Sequence, residues 1–323
     1  MSTRASKRGR PLSGRPFASH RDDLDYGSTV VSVLAGAHSV GEGILGFFDT
    51  REARVIRLVC TEFRDAVAVV PWADMETRIR GNVGGWRKSF PRATKANISD
   101  DYPTRKSVIV DADFVHFEGI HSLDMSECNQ AGITDAAFVY LKGMHTLSMA
   151  GCNQAGITDA VFVHLKGIHT LNMSECNQAG ITDAAFVHLK GIHTLNMSGR
   201  NQAGITDAAF VHLKGLHTLY MSWCRQITDA AFVHLKGIHT LNMSGCNQAG
   251  ITNAAFVYLK GIHTLNMLGC DQAGITDAAF VHLKGIHTLN MEGCDQAGIT
   301  PSLRDRLHAT VPMLKIVSLV ESQ

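Results

Sequence analysis

Between residues ~109 and 300 apolar and polar positions recur at a fixed interval. The leucine of a His-Thr-Leu core (His-Ser-Leu in the first copy) stands at Leu123, Leu147, Leu171, Leu195, Leu219, Leu241, Leu265 and Leu289. The step is 24 residues, except for 22 between Leu219 and Leu241. A period of this size specifies one structural unit stacked on itself. Within Ile168–Met173, Leu171 and Met173 alternate with polar residues, which predicts a short strand. Thr158–Gly167 predicts a short helix, with Thr158 as N-cap and Gly167 at C′. Asp159 suits the positive N-terminal end of that helix and Lys166 the negative C-terminal end. Phe162 and Leu165 face inward, Ala160 stays small where helix meets strand, and Cys176 turns the chain.

One such unit carries too few apolar side chains to offset the entropy of ordering its backbone. Copies must therefore cover each other's faces and pair their strands in a parallel sheet. The expected shape is a curved horseshoe, strands inside and helices outside. Atypical rungs are expected at the ends. Phe90–Ile98 is a degenerate first rung, the regular array starts at Val108–Phe117, and Thr300-Pro301, Leu303–Leu307 and Met313–Ile316 form a more polar last one.

The spacing Ile-x-x-Leu-x-Met-x-x-Cys followed by Ile-Thr-Asp resembles the cysteine-containing class of leucine-rich repeats, eight times over. The resemblance implies an α/β leucine-rich-repeat solenoid, a horseshoe that recognises a protein on its inner face and brings no catalytic residues.

Residues 29–95 differ in kind from the repeats. Val30–Leu34, Ile44–Phe48 and Val55–Phe63 predict three short helices, with Asp49-Thr50 as a cap. So short a bundle is marginal alone and is expected to pack on the first rung. Ile44-Leu45-Gly46-Phe47-Phe48-Asp49, then Arg57-Leu58-Val59-Cys60 with Phe63 three residues on, and Val70-Pro71-Trp72, resemble the F-box over ~40 residues. That resemblance implies a small N-terminal all-helical module that docks on the Skp-type adaptor of cullin–RING ubiquitin ligases through Ile44, Leu45, Phe47, Phe48, Leu58 and Val59. The repeats would then hold the substrate. Gly36-Ala37 stands where the motif usually opens with Leu-Pro, which keeps a second reading open: helices that only cap a protein-binding solenoid. The organisation read from the chain is a disordered basic tail over 1–28, the helical module over 29–95 and the solenoid over 96–323.

Composition narrows the function classes. A net charge of +1 gives no reason to expect nucleic acid or a membrane surface, and no apolar run reaches the ~18 residues of a membrane span. Seven of the 8 cysteines (Cys128, Cys152, Cys176, Cys224, Cys246, Cys270, Cys294) share one repeat position, and Arg200 stands in the same column. Small buried thiols, not disulfides, fit such a column and imply a reducing compartment, cytosol or nucleus. Most of the 17 histidines form two columns, one before the strand (His121 to His287) and one on the helix (His116 to His282). With no Cys-x-x-Cys or carboxylate partners, structural or solvated histidine is preferred to a metal site, and no cofactor is expected. If the strand-side imidazoles stack, charging them together should weaken the fold below about pH 6. A Cys–His pair such as His169 and Cys176, repeated down the column, reads as scaffold, so no enzymatic activity is expected.

Among near-identical copies the exceptions are informative. Tyr220 replaces Asn, Trp223 replaces Gly or Glu, Arg225 replaces Asn or Asp, and Ala-Gly is missing before Ile227. Tyr, Trp and Arg are the residues most enriched at binding hot spots. They nominate Tyr220, Trp223 and Arg225 as a protein-binding anchor, with Arg200, Leu268 and Glu292 secondary. The alternative is drift in a tolerant duplicate, Trp223 merely covering the shortened turn.

Overall fold

A computed structural model describes residues 48–59, 61–75, 77–100, 108–199 and 204–315. Ten three-residue strands form one parallel sheet in sequence order. They are β1 (Lys95–Asn97), β2 (Ser122–Asp124), β3 (Thr146–Ser148), β4 (Thr170–Asn172), β5 (Thr194–Asn196), β6 (Thr218–Tyr220), β7 (Thr240–Asn242), β8 (Thr264–Asn266), β9 (Thr288–Asn290) and β10 (Met313–Lys315). Each rung is in register with the next, Leu147 opposite Leu171 opposite Leu195, and the 22-residue step leaves Leu219 opposite Leu241. The two-residue deletion is thus absorbed in the loop before Ile227. Leucine, methionine and cysteine columns are buried along the whole stack. Helical turns are thicker than strands, so the stack bends with its strands on the concave side.

The segments on the convex side depart from the predicted α-helix. Asp111–Phe117, Asp135–Leu141, Asp159–Leu165, Asp183–Leu189 and Asp207–His212 are 3₁₀. Later rungs start with one α turn, as in Asp229–Phe232, Asn253–Phe256 and Asp277–Phe280. Seven residues must span the rung, and the 3₁₀ rise of about 2.0 Å per residue covers that distance with fewer residues. The predicted ends hold: the Thr158 hydroxyl accepts from Ala160 N, and Gly167 has φ +82°. Phe162 and Leu165 are buried as expected. The small-residue position is shifted by one, however. Ala160 is exposed, and it is the column Ala137, Val161, Ala185 that is sealed between neighbouring turns.

Side chains tie rung to rung. The Asp159 carboxylate accepts from both the backbone N–H (2.7 Å) and the hydroxyl (2.6 Å) of Thr182, one rung on. The same pairing runs from Asp111–Thr134 to Asp277–Thr300, with Asn253 serving Thr276. Each described cysteine is a buried thiol outside any disulfide, and its Sγ donates back to the preceding rung, as from Cys152 to Met125 O at 3.0 Å. Gln154 Nε2 likewise donates to Cys128 O at 2.5 Å.

At the N-terminus lie α1 (Thr50–Ile56), α2 (Thr61–Val69) and α3 (Val83–Ser89). Of the three predicted helices the first two, up to Phe47, lie outside the described residues. The third, Val55–Phe63, is interrupted: Leu58 N and Val59 N bond three residues back and close α1. Asp49 caps α1 in a reciprocal box with Glu52. Trp72 ties the segment down, its indole donating to Val67 O (2.8 Å), its carbonyl accepting from Thr94 N (2.7 Å), its ring edge-on to Phe90. At the other end Pro301 opens the helix Pro301–Thr310, and β10 closes the sheet.

Candidate functional site

The concave face is built of columns. Strand-side histidines from His121 to His287 stack ring on ring, centroids 4.5 to 4.7 Å apart and planes within 17°. Most Nδ1 atoms lie 3.1–3.2 Å from the next threonine hydroxyl. Desolvation first, and then the flanking imidazoles, lower the pKa of His145, His217 and His263. The inward thiols are displaced the other way. Burial pushes Cys176 up to about 12 and Cys246 to about 11, and raises Cys152, Cys224 and Cys270 further. At neutral pH they stay protonated, without the thiolate that nucleophilic chemistry needs.

Next on the face is the Asn column. Asn172, Asn196 and Asn242 each accept at Oδ1 from the backbone N–H two residues on, and so do Asn266 and Asn290. These are side-chain turns that hold the chain as it leaves the strand. Tyr220 replaces that acceptor, and Ser222 N turns to Ser198 Oγ at 3.1 Å on the previous rung.

The residue before each column cysteine is left-handed. Gly151, Gly245, Gly269 and Gly293 have φ between +63° and +68°. Three non-glycines hold the same conformation: Glu127 (61°), Glu175 (59°) and Trp223 (63°). Each is followed one rung on by a glycine. A methyl at Gly245 would stand 2.7 Å from the Trp223 indole, and one at Gly151 would collide with the Glu127 carboxylate. The large side chain therefore lies over its neighbour's bare backbone, which limits such residues to alternate rungs.

The nominated residues fall unevenly on this surface. Tyr220 and Trp223 share a rung and are 37% and 43% exposed. The Trp223 ring extends over Gly245, on the rung between it and the exposed Leu268. Glu292 is half-buried, one rung beyond Leu268 in the same column. Arg225 is exposed past the strand, in the shortened turn. Arg200 lies outside the described residues. Glu127 and Glu175 join the surface without having been singled out. The signal was present, since glycine dominates their column and a non-glycine there carries backbone strain. In the helical segment Leu58 and Val59 are 78% and 70% exposed beside exposed Val55, whereas Phe48 packs partly against the core. Ile44, Leu45 and Phe47 lie outside the described residues. No described helix is long and apolar enough to cross a membrane.

No protein-family model matches the chain, and no curated protein matches it by sequence. Solved structures do. A chain of the Drosophila Toll–Spatzle complex is similar over 80% of this chain and 39% of its own, with TM-score 0.51 and 16% identity. A chain of the TLR13–ssRNA13 complex is similar over 84% and 46%, with TM-score 0.50 and 16% identity. Internalin C2 of Listeria monocytogenes covers 65% and 85%, with TM-score 0.48 and 20% identity. The chain thus spans less than half the length of the first two. The in-register parallel rungs and the first two likenesses together make its fold a leucine-rich-repeat solenoid.

Proposed function

We propose that the chain is a non-enzymatic recognition protein that grips a protein partner on its concave face at Tyr220 and Trp223. It presents that partner to a cullin–RING ubiquitin ligase through its N-terminal helices. One observation carries the recognition half. Both aromatics occupy positions where the scaffold prefers another residue: an Asn acceptor at 220 and a glycine at 223, whose φ is +63°. Two large side chains kept against the backbone's preference, half-exposed and on one rung, support a binding anchor over drift. Arg225 and Leu268 extend the anchor, with Glu292 further along.

The ligase half is supported by the F-box-like run and by the exposed strip Val55, Leu58 and Val59, which the solenoid leaves uncovered. The other reading, helices that only cap the stack, is favoured by Trp72, whose hydrogen bonds join the segment to the first rung. Co-purification decides between them. The Skp-type adaptor should accompany the full chain and be lost on Leu58→Asp with Val59→Asp; no adaptor in the wild-type preparation leaves only the cap. For the anchor, Tyr220→Asn with Trp223→Gly should abolish partner capture while leaving the melting temperature equal or higher. Capture undiminished by that pair rejects the assignment.

A further inference from the structure

Glu127, Glu175 and Trp223 stand in one column of the concave face, on the rungs of β2, β4 and β6, and Gly151, Gly199 and Gly245 take the same place on the rungs between and after them. Along this column each backbone N–H donates to a carbonyl of the next rung, from Glu127 to Ala150 O through to Trp223 to Ser244 O, so the column keeps the step of the sheet. The histidine rings of these rungs repeat every 4.5–4.6 Å. Two steps of a sheet therefore set the three large side chains about 9–10 Å from one another.

Charge singles out what such a row can hold. All three side chains are exposed, and among the described residues no lysine or arginine lies within ion-pair distance of either glutamate. No lysine or arginine stands in the strands β2 to β9 or in the three residues that follow each; Arg200 and Arg225 come later in their turns. Asp124, on the rung of Glu127, adds a third carboxylate. The face is thus acidic at one end and aromatic at its middle, the complement of a chain that carries cations. Spacing then selects the conformation of that chain. Polyproline II rises about 3.1 Å per residue with three residues per turn, so its side chains return to one face every ~9.3 Å. A pleated strand returns one every ~6.7 Å, out of step with the row.

We infer that the concave face takes a basic partner segment in polyproline II conformation, running across the rungs with an arginine or lysine at every third residue. Two of its cations meet Glu127 and Glu175, and the third lies over the Trp223 indole, on whose rung Tyr220 adds a second aromatic surface. The inference rests on the proposed recognition role of this face and adds the chemistry of what is recognised.

Fluorescence anisotropy of labelled peptides with the purified full chain tests this, at about pH 7.5, where imidazole is neutral, and in about 0.15 M salt. A nonapeptide of three Arg-Pro-Pro repeats should bind saturably. A peptide of the same composition with its arginines consecutive should bind about fivefold more weakly or worse, and three Glu-Pro-Pro repeats should not bind. E127G/E175G should weaken the Arg-Pro-Pro peptide about fivefold or more. That variant restores the glycine of the neighbouring rungs, so its melting temperature should not fall. No saturable binding, equal binding of the consecutive-arginine peptide, or binding undiminished in E127G/E175G overturns the inference. Partner capture abolished by Y220N/W223G but kept in E127G/E175G overturns this inference alone, and capture kept in both variants overturns the recognition face with it.

Discussion

At the scale of single residues the repeats act as internal controls, since a deviation can be compared with seven near-copies of its surroundings. Glu175 sits at φ 59°, where its column otherwise favours glycine. The left-handed conformation costs an L-residue roughly 1–2 kcal/mol, and glycine loses part of that gain to its freer unfolded chain. Glu175→Gly should therefore stabilise by about 0.5–1 kcal/mol in urea denaturation, and a loss of stability would contradict the strain. The thiol column gives a second expectation. With Cys246 and Cys294 at about 11 and Cys176 at about 12, all buried, a Cys60→Ser chain should resist maleimide until it is denatured. Rapid native labelling would mean that the column is open.

At the scale of elements, what holds a rung is largely its neighbour. The helix-start Asp serves the next rung's Thr more than its own helix. Asp159→Ala removes two acceptors from Thr182 and should cost about 1–2 kcal/mol, because a half-buried N–H and a hydroxyl lose their partner. Asp159→Asn should cost much less, since Asn253 already bonds Thr276 N and Thr276 Oγ1 in that way. Equal losses for the two variants would deny the bridge its role. The histidine ladder sets the pH response. His145, His217 and His263 have folded pKa values below the ordinary one, so the folded chain binds fewer protons than the unfolded chain as pH falls through about 6.5. Stability is complete above that value and lost below it. Asp74 and Asp277, held low by hydrogen bonds to threonines, lose theirs only in the carboxylate range, well below the histidine window. The melting temperature should fall from pH 7.5 to 5.5, more steeply at low salt, and a flat profile would exclude the ladder as a titrating unit.

For the whole molecule, stability adds along one axis. Excising residues 158–181 joins Ile157 to Thr182 and restores the register of every column. The shortened chain should still unfold in one cooperative step, at a lower denaturant midpoint. Removing 12 residues from the same place should abolish that transition, since strands and helical turns would no longer align; comparable transitions in both deletions would refute the nearest-neighbour picture. The ends obey the same physics. Trp72 and Phe90 close one end of the core, and the helix Pro301–Thr310, with Leu303 and Leu307 buried, closes the other.

Much of this was legible in the chain itself. Which residues lie inside, which strands pair and in what register follow from apolar chemistry repeated eight times, because each column has the same choice between water and core. Tyr220 and Trp223 stood out for the same reason. Three features needed the tertiary structure. The first five convex segments are 3₁₀ because the width of a rung, not the propensity of their residues, sets their rise. Asp159 finds its partner 23 residues away at Thr182, a distance that stacking creates and local sequence does not contain. Arg57 finds its acceptor at Ser89, 32 residues away, because the end of α1 is laid against α3, a contact that exists only once the chain has closed.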